Sequence, residues 1–498
     1  MNERTNDLPR LRMYIGGEWV EPAAGRFFET VDPFTAKPWA LVPRGDAEDA
    51  DRAVRAAHAA FRDGPWGRMH PSDRGKILYR FGQLIEEHAD ELAALEVRDN
   101  GRLLAEMRHQ IRYVPNWYYY NAGLADKLEG VVHPCDKPAL SFSKPEPLGV
   151  CVGIVPWNAP LLLLSLKAAP ALAAGNTLII KPAEHTSATA LKLMELVEAA
   201  GFPPGVFNVV TGYGREVGEP LVTHPLVRHI SFTGSTATGS HLYSLAARDV
   251  KRVSLELGGK SPNIVFADAD LDNAVRGVVG GIFGATGQTC IAGSRLLVER
   301  RAHDAFLEKL VAFTRSARVG DPRRVETQIG PIANRMQYDK VLGYIDIARS
   351  EGAEVALGGR RPDLEECAEG FFVEPTIFTG VNNSMRIARE EVFGPVLATI
   401  PFDDPEEAIA IANDSEFGLA AGVWTSDMRR ALTMADRLEA GSVWINTYRD
   451  ISYTTPFGGY KKSGIGRENG VEGIREYLQT KAIWISTAAE VENPFVIG

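Results

Sequence analysis

The run Gly287-Gln288-Thr289-Cys290-Ile291-Ala292-Gly293 sets a cysteine between two glycines. Glycine permits a sharply bent backbone, which can expose the sulfur. A lone cysteine is more often an inert, buried thiol. A free thiol has a pKa near ~8.5 and is mostly protonated at neutral pH, so a nucleophilic role requires help from its surroundings. Two other segments hold groups that suit that help. Val253-Ser254-Leu255-Glu256-Leu257-Gly258-Gly259-Lys260 places a carboxylate inside an apolar strand. Burial would raise its pKa and make it a usable base. Val155-Pro156-Trp157-Asn158-Ala159-Pro160 holds an amide between two prolines. That rigidity suits a preorganised donor to an oxyanion. Taken singly, Glu256 is more commonly a solvated strand end and Asn158 more commonly a turn cap.

Three further segments suit a dinucleotide. Ile179-Ile180-Lys181-Pro182-Ala183-Glu184 ends a strand with a cation and an acid. An acid there can bind ribose hydroxyls and repel a 2′-phosphate. Phe232-Thr233-Gly234-Ser235 leads from a strand through a glycine turn into a helix, whose free N–H groups favour pyrophosphate. Gly212-Tyr213-Gly214-Arg215-Glu216-Val217-Gly218 has one residue too many for a G-x-G-x-x-G loop.

The elements that must carry these residues alternate. Asp46–Ala60 and Ser72–Asn100 read as helical, the latter as one or two helices. Strands are expected at 149–155, 176–181, 207–211, 227–233 and 252–257. Helices are expected at 159–174, 187–200, 217–224 and from Ser235 onward. Such alternation implies right-handed crossovers and a mostly parallel sheet. The pattern restarts near Ser261, with a strand at 263–266 and a helix through Val278, so a second α/β unit is expected. Pro134–Pro147 carries four prolines around a short apolar run and reads as an excursion from the first unit. Thr480–Thr487 is a late strand with no obvious partner in its own unit. It is either an internal edge or a strand that pairs across a subunit interface.

Composition narrows the function classes. The chain has 498 residues, 45% hydrophobic and 24% charged, with a net charge of −10. That length suits about three domains of roughly 150 residues. The negative balance argues against nucleic-acid or anionic-membrane binding. The four cysteines lack any C-x-x-C spacing and no histidine cluster accompanies them, so no metal site is expected. Unclustered cysteines suit a reducing compartment. Met1–Met13 is polar, without the apolar core of a signal peptide. The longest greasy stretch, Ala159–Leu166, stops at Lys167, far short of the ~20 residues of a membrane span. A cytoplasmic protein with no membrane association is expected.

Together the motifs resemble those of the aldehyde dehydrogenase superfamily from Met13 to Lys481. The most specific are Pro156-Trp157-Asn158, Leu255-Glu256-Leu257-Gly258-Gly259-Lys260, Gly287-Gln288-Thr289-Cys290, Glu390-Glu391-Val392-Phe393-Gly394-Pro395 and Pro456-Phe457-Gly458-Gly459. The resemblance implies an α/β fold with a Rossmann-like NAD domain (1–130 and 148–258), a catalytic α/β domain (259–470) and a small β oligomerisation arm (131–147 and 475–498). It implies a homodimer or homotetramer. Cys290 would be the nucleophile and Glu256 the base. Asn158 and the Cys290 N–H would form the oxyanion hole, and Lys167 and Glu468 a proton-relay pair. NAD would lie against Val155, Pro156, Trp157, Lys181, Ala183, Glu184, Gly214, Gly218, Phe232, Ser235, Leu257, Glu391 and Phe393.

The aldehyde would meet Ala159, Leu163, Gly284, Thr289, Ile291, Tyr448, Tyr453 and Phe457. The loop 447–453 would form the tunnel mouth and Trp117–Tyr120 its wall. Many relatives carry aromatics where this chain has Ala159 and Gly284, which suggests a roomy tunnel. Gln479 stands where some members have a glutamate bridging two arginines, here Arg252 and Arg467.

The implied reaction is NAD-dependent oxidation of a small-molecule aldehyde to an acid through a cysteine thiohemiacetal and thioester. A CoA-acylating relative would pass the thioester to CoA, whereas Glu256 favours water. A cysteine hydrolase needs a histidine beside the thiol, and only His185 falls in these segments. A structural protein on the same fold would not need Cys290, Glu256 and Asn158 together.

Overall fold

Five strands built from short apolar runs form a parallel core in the order Phe207–Val209, Thr177–Lys181, Val150–Ile154, Val227–Thr233, Arg252–Glu256. This computed structural model describes residues 7–490 and 494–495. Residues 1–6 of the expected NAD unit, and 491–493 and 496–498 of the expected arm, lie outside the described residues. The sequence Val-Cys-Val-Gly-Ile is buried at every position, as suits a strand covered by helices on both faces. The hairpin Met13–Ile15 and Glu18–Val20 extends one edge antiparallel. At the other edge Gly464–Ile465 pairs antiparallel with Arg252–Glu256, although its number lies in the range expected for the catalytic unit.

In chain order the five parallel strands run 3-2-1-4-5. The order reverses between Val150–Ile154 and Val227–Thr233, which are neighbours. A crevice opens beyond the carboxyl ends of two such strands, because their crossovers leave to opposite sides. Val155–Asn158 and Gly234–Ser235 follow those two ends.

Several helix starts carry side-chain caps. Asp46 caps Ala47–Arg62 in a capping box with Asp49, and Ser235 accepts from the Thr238 N–H at the head of Thr236–Ala247. The long helical stretch divides at His88 into Pro71–Glu87 and Ala89–Asn100. The expected helix 217–224 instead begins as a π-turn, Gly214–Gly218, and runs on as Glu219–Thr223. The Glu219 N–H reaches back to the Gly214 carbonyl, five residues away, and so absorbs the extra residue of the glycine loop.

The second sheet has seven strands in the order Glu354–Leu357, Thr376–Thr379, Val396–Phe402, Arg295–Glu299, Pro262–Val265, Ala420–Trp424, Ser442–Ile445. All neighbours are parallel except the first pair. The third sheet is small. Ala139–Pro147 lies between Val132–His133 and Leu478–Ser486, antiparallel to both. The late strand therefore has a partner within the chain, on one side, and its other edge is open. Among the described residues no helix is long and apolar enough to cross a membrane.

Candidate active site

A cavity of about 1200 Å³ runs from the crevice of the first sheet to Cys290. The thirteen residues expected against the cofactor all line it. Gly214 and Gly218 leave backbone bare there: a Cβ at either would meet no other protein atom within 4 Å. Lys181 ends its strand nearly buried, and its Nζ lies 3.5 Å from Glu184. Burial pushes the Lys181 ammonium below its ordinary value, against the pull of Glu184. Burial raises Glu184, but Lys181 and neighbouring donors outweigh it and hold the carboxyl below its usual range. His185 lies beside these two and not beside the thiol. Ser235 is exposed at the head of its helix, and Trp157 meets Phe393 edge to face at 5.2 Å between ring centres. Cationic, anionic and bare-backbone groups in this order fit a dinucleotide.

Glu391 reaches in from the second unit. Its Oε1 accepts from the Gly259 N–H at 3.0 Å, and burial raises its pKa. Gln337 was not legible as a site residue. It donates from Nε2 to the Val392 and Phe393 carbonyls at 2.8 and 2.9 Å, and lines the cavity with Lys340. The cap Asn334 marks the start of their helix, but no local signal ties that helix to Glu391 some fifty residues on.

Three motifs converge on the cysteine. Ala285, Thr286 and Gly287 are all left-handed, φ 56°, 53° and 70°, and turn the chain into Cys290. A Cβ on Gly287 would come within 2.0 Å of the Gly394 carbonyl oxygen, and one on Gly259 within 2.3 Å of the Cys290 carbonyl oxygen. Asn158 is buried and donates from Nδ2 to the Gln288 carbonyl at 2.8 Å, which leaves its second N–H free. Burial, with Glu391 and Glu256 nearby, pushes the Cys290 thiol up to about 12.

Glu256 ends its strand behind the thiol, buried, with Oε2 lacking a hydrogen-bond partner. Burial and Glu468 raise its pKa well above the ordinary value, against the pull of Lys167. Lys167 and Glu468 meet at 2.6 Å, and Lys167 also donates to Thr233 at 2.7 Å and Ser231 at 3.1 Å. These three residues lie behind the cavity rather than along it.

The residues expected to meet the aldehyde divide. Leu163 lines the cavity, and Ala159, Thr289 and Ile291 flank Asn158 and Cys290. Phe457 packs in a cluster with Ile291, Leu419 and Trp444, against which Cys290 lies. Tyr453 meets Tyr113, Trp117 and Tyr120, with ring centres 5.5–6.1 Å apart. Two positions depart from expectation. Tyr448 stands behind the cysteine loop: its ring fills space left by Gly281, Gly293 and Gly422, and its hydroxyl donates to the Ile291 carbonyl at 3.0 Å. Gly284 does not open space, because Arg449 Nη1 lies 2.0 Å from where its Cβ would stand. Gln479 bridges neither arginine. It contacts the Pro147 carbonyl, while Arg252 donates to the Leu478 carbonyl and Arg467 to those of Gly459 and Gly466.

A dinucleotide-sized crevice that ends on a cysteine and an amide, with a buried carboxylate behind them, defines a nucleotide-binding α/β protein with a covalent site. The sequence model of the aldehyde dehydrogenase family matches residues 19–483, and the chain belongs to that family. It is 47% identical to the hydroxyisobutyraldehyde dehydrogenase of Mycolicibacterium austroafricanum, over 95% of this chain and 93% of that one. It is 44% identical to the betaine aldehyde dehydrogenase of Bacillus subtilis (strain 168), over 97% and 99%. A crystal structure of betaine aldehyde dehydrogenase from Staphylococcus aureus in complex with NAD+ superposes with a TM-score of 0.97 at 41% identity, covering 99% of this chain and 98% of that one.

Proposed function

We propose that this protein oxidises an aldehyde to a carboxylic acid with NAD, through a covalent intermediate on Cys290. The observation that carries the reading is the single cavity in which the thirteen cofactor candidates lead to Cys290 and Asn158. When bound, NAD supplies the hydride acceptor and a positive ring. Cys290 passes its proton to water or to Glu256, and its sulfur bonds to the aldehyde carbon. The carbonyl electrons move to oxygen, where the free Asn158 N–H and the Cys290 backbone N–H hold the charge. The C–O double bond re-forms as hydride departs, leaving a thioester. Glu256 takes a proton from water, the hydroxyl oxygen attacks the thioester, and the acid leaves as the C–S bond breaks. Glu256 starts buried with a raised pKa, which suits a base working near neutrality. Lys167 and Glu468 would carry the proton away.

A cysteine hydrolase would need a histidine at the thiol, and His185 stands with Lys181 and Glu184. Lys181, Ala183 and Glu184 would take the adenosine ribose, Ser235 the pyrophosphate and Glu391 the nicotinamide ribose. Residues 1–130 with 148–258 would form the NAD domain, 259–470 the catalytic domain, and the three-stranded sheet the arm of a dimer or tetramer. Exposed Val132, Leu140, Trp484 and Ile485 on that sheet support an oligomeric role. Four free cysteines suit a cytoplasmic setting.

The test is NADH formation at 340 nm over aliphatic, aromatic and semialdehyde substrates. NADH without added CoA, with acid as product, is expected. A strict requirement for CoA, or acyl-ester hydrolysis without NADH, would overturn the reading. For the arm, Trp484→Glu is expected to lower the mass found by light scattering; an unchanged mass would sink it.

A further inference from the structure

In the stretch Glu96–Glu106, Asp99 is buried against Thr30 and the Ala188 N–H, while Glu96, Arg102 and Glu106 each end on backbone beside the reacting groups. Glu96 accepts from the Leu161 N–H at 2.6 Å. That N–H belongs to the first turn of Pro160–Ala173, where no partner exists within the helix and Ala159 offers no side-chain cap. Arg102 donates from Nη1 to the Asn158 carbonyl oxygen at 3.2 Å, and from Nε to Glu106 at 3.0 Å. The other oxygen of Glu106 accepts from the Ala285 N–H at 3.1 Å. One ion pair therefore runs from the backbone of Asn158 to the first residue of the left-handed turn that leads into Cys290.

Arg102 lies just before the helix Leu104–Tyr113 that carries Glu106, and ion pairs near a protein surface are ordinarily solvated and weak. This one differs because both ends grip other elements and the Arg102 side chain is only 8% exposed. The Asn158 carbonyl belongs to the peptide plane between Asn158 and Ala159. Pro156 and Pro160 restrict the chain on either side, but that plane can still rotate, and rotation would swing the Asn158 side chain. A hydrogen bond to its carbonyl opposes the swing. The bond from Ala285 to Glu106 holds the opposite wall in the same way. An oxyanion hole is effective only when its donors are fixed before the charge develops.

We propose that Arg102, braced by Glu106, is a positioning residue that fixes the separation between the Asn158 amide and the Cys290 loop. This rests on the reading of Asn158 and Cys290 as the oxyanion hole. The test is a double-mutant cycle on kcat with Arg102→Gln and Asn158→Ala. If Arg102 acts through Asn158, Arg102→Gln should lower kcat roughly tenfold in the native background and less than about twofold beside Asn158→Ala. The KM for NAD should not change, and Arg102→Lys should recover part of the loss. Equal factors in both backgrounds, or an unchanged kcat in Arg102→Gln, would overturn the proposal. Normal turnover in Asn158→Ala alone would overturn the oxyanion reading instead. Should Arg102→Gln fold poorly, the pair Arg102→Leu/Glu106→Leu removes both charges from the interior, which commonly preserves stability. It must show the same dependence on Asn158.

Discussion

The Lys167 ammonium lies 2.6 Å from the Glu468 carboxylate, and the two are 0% and 6% exposed. Removing one member of such a pair strands a buried charge. Lys167→Met should cost about 3–5 kcal/mol of stability. Lys167→Met/Glu468→Leu should recover most of it without restoring turnover. Thermal unfolding of both variants checks this, and full stability in Lys167→Met would sink it.

Glu468 also acts on Glu256. Its charge raises the Glu256 carboxyl, second to burial. Glu468→Gln should therefore move the acid limb of kcat to lower pH. The same shift has a stability consequence. A carboxyl raised in the folded state contributes stability that is complete below its unfolded value, about 4.3, and declines as pH rises through the folded one. Glu256→Gln lacks that decline. Its melting temperature should exceed that of the native protein at pH 8, with the gap closing as pH falls toward about 5. A gap that widens on acidification would contradict the shift.

Cys290 and Glu256 should separate in single-turnover kinetics. Cys290→Ala should abolish both the burst of NADH and steady turnover. Glu256→Gln should retain some burst while steady turnover collapses, with an acyl mass on the Cys290 peptide. Normal turnover in Glu256→Gln would refute the base. A label on Cys135, Cys151 or Cys367 would refute the nucleophile. Cys151 lies on a fully buried strand and does not line the cavity, so it is a poor competitor.

Should Glu184, at 3.5 Å from Lys181, take the adenosine ribose as proposed, a 2′-phosphate would bring like charge beside it. NAD should be preferred to NADP in kcat/KM, and Glu184→Gln should narrow the difference. Equal values for the native protein would defeat the assignment.

The tunnel should respond to Arg449 rather than to Gly284. Arg449→Ala vacates the space at Gly284 and should favour bulky aldehydes relative to propanal. Gly284→Ala must displace a guanidinium and should lose stability. Ala159→Phe should slow bulky aldehydes more than propanal. Equal slowing of both would place Ala159 outside the wall.

Much of the fold was legible because its signals are local. Apolar runs such as Thr177–Lys181 mark buried strands, and Asp46 and Ser235 mark helix starts, each within a few residues. The groups about Cys290, Glu256 and Asn158 were legible as motifs, since a bent backbone, a strand-end acid and a proline-bracketed amide are each short patterns. What fills the gaps between motifs was not. Arg449 occupies the space at Gly284, Tyr448 wedges behind the cysteine loop, and Gly464–Ile465 crosses to the first sheet. Lys167 and Glu468, 301 residues apart, were paired by the family resemblance and by no local signal, and nothing in the sequence tied Arg102 to Asn158. Side-chain periodicity and turn chemistry are properties of neighbouring residues, so the sequence by itself determined most of the elements and marked the candidate reacting groups. Which distant side chain occupies a given volume depends on how the sheets pack, and only the tertiary structure decided that.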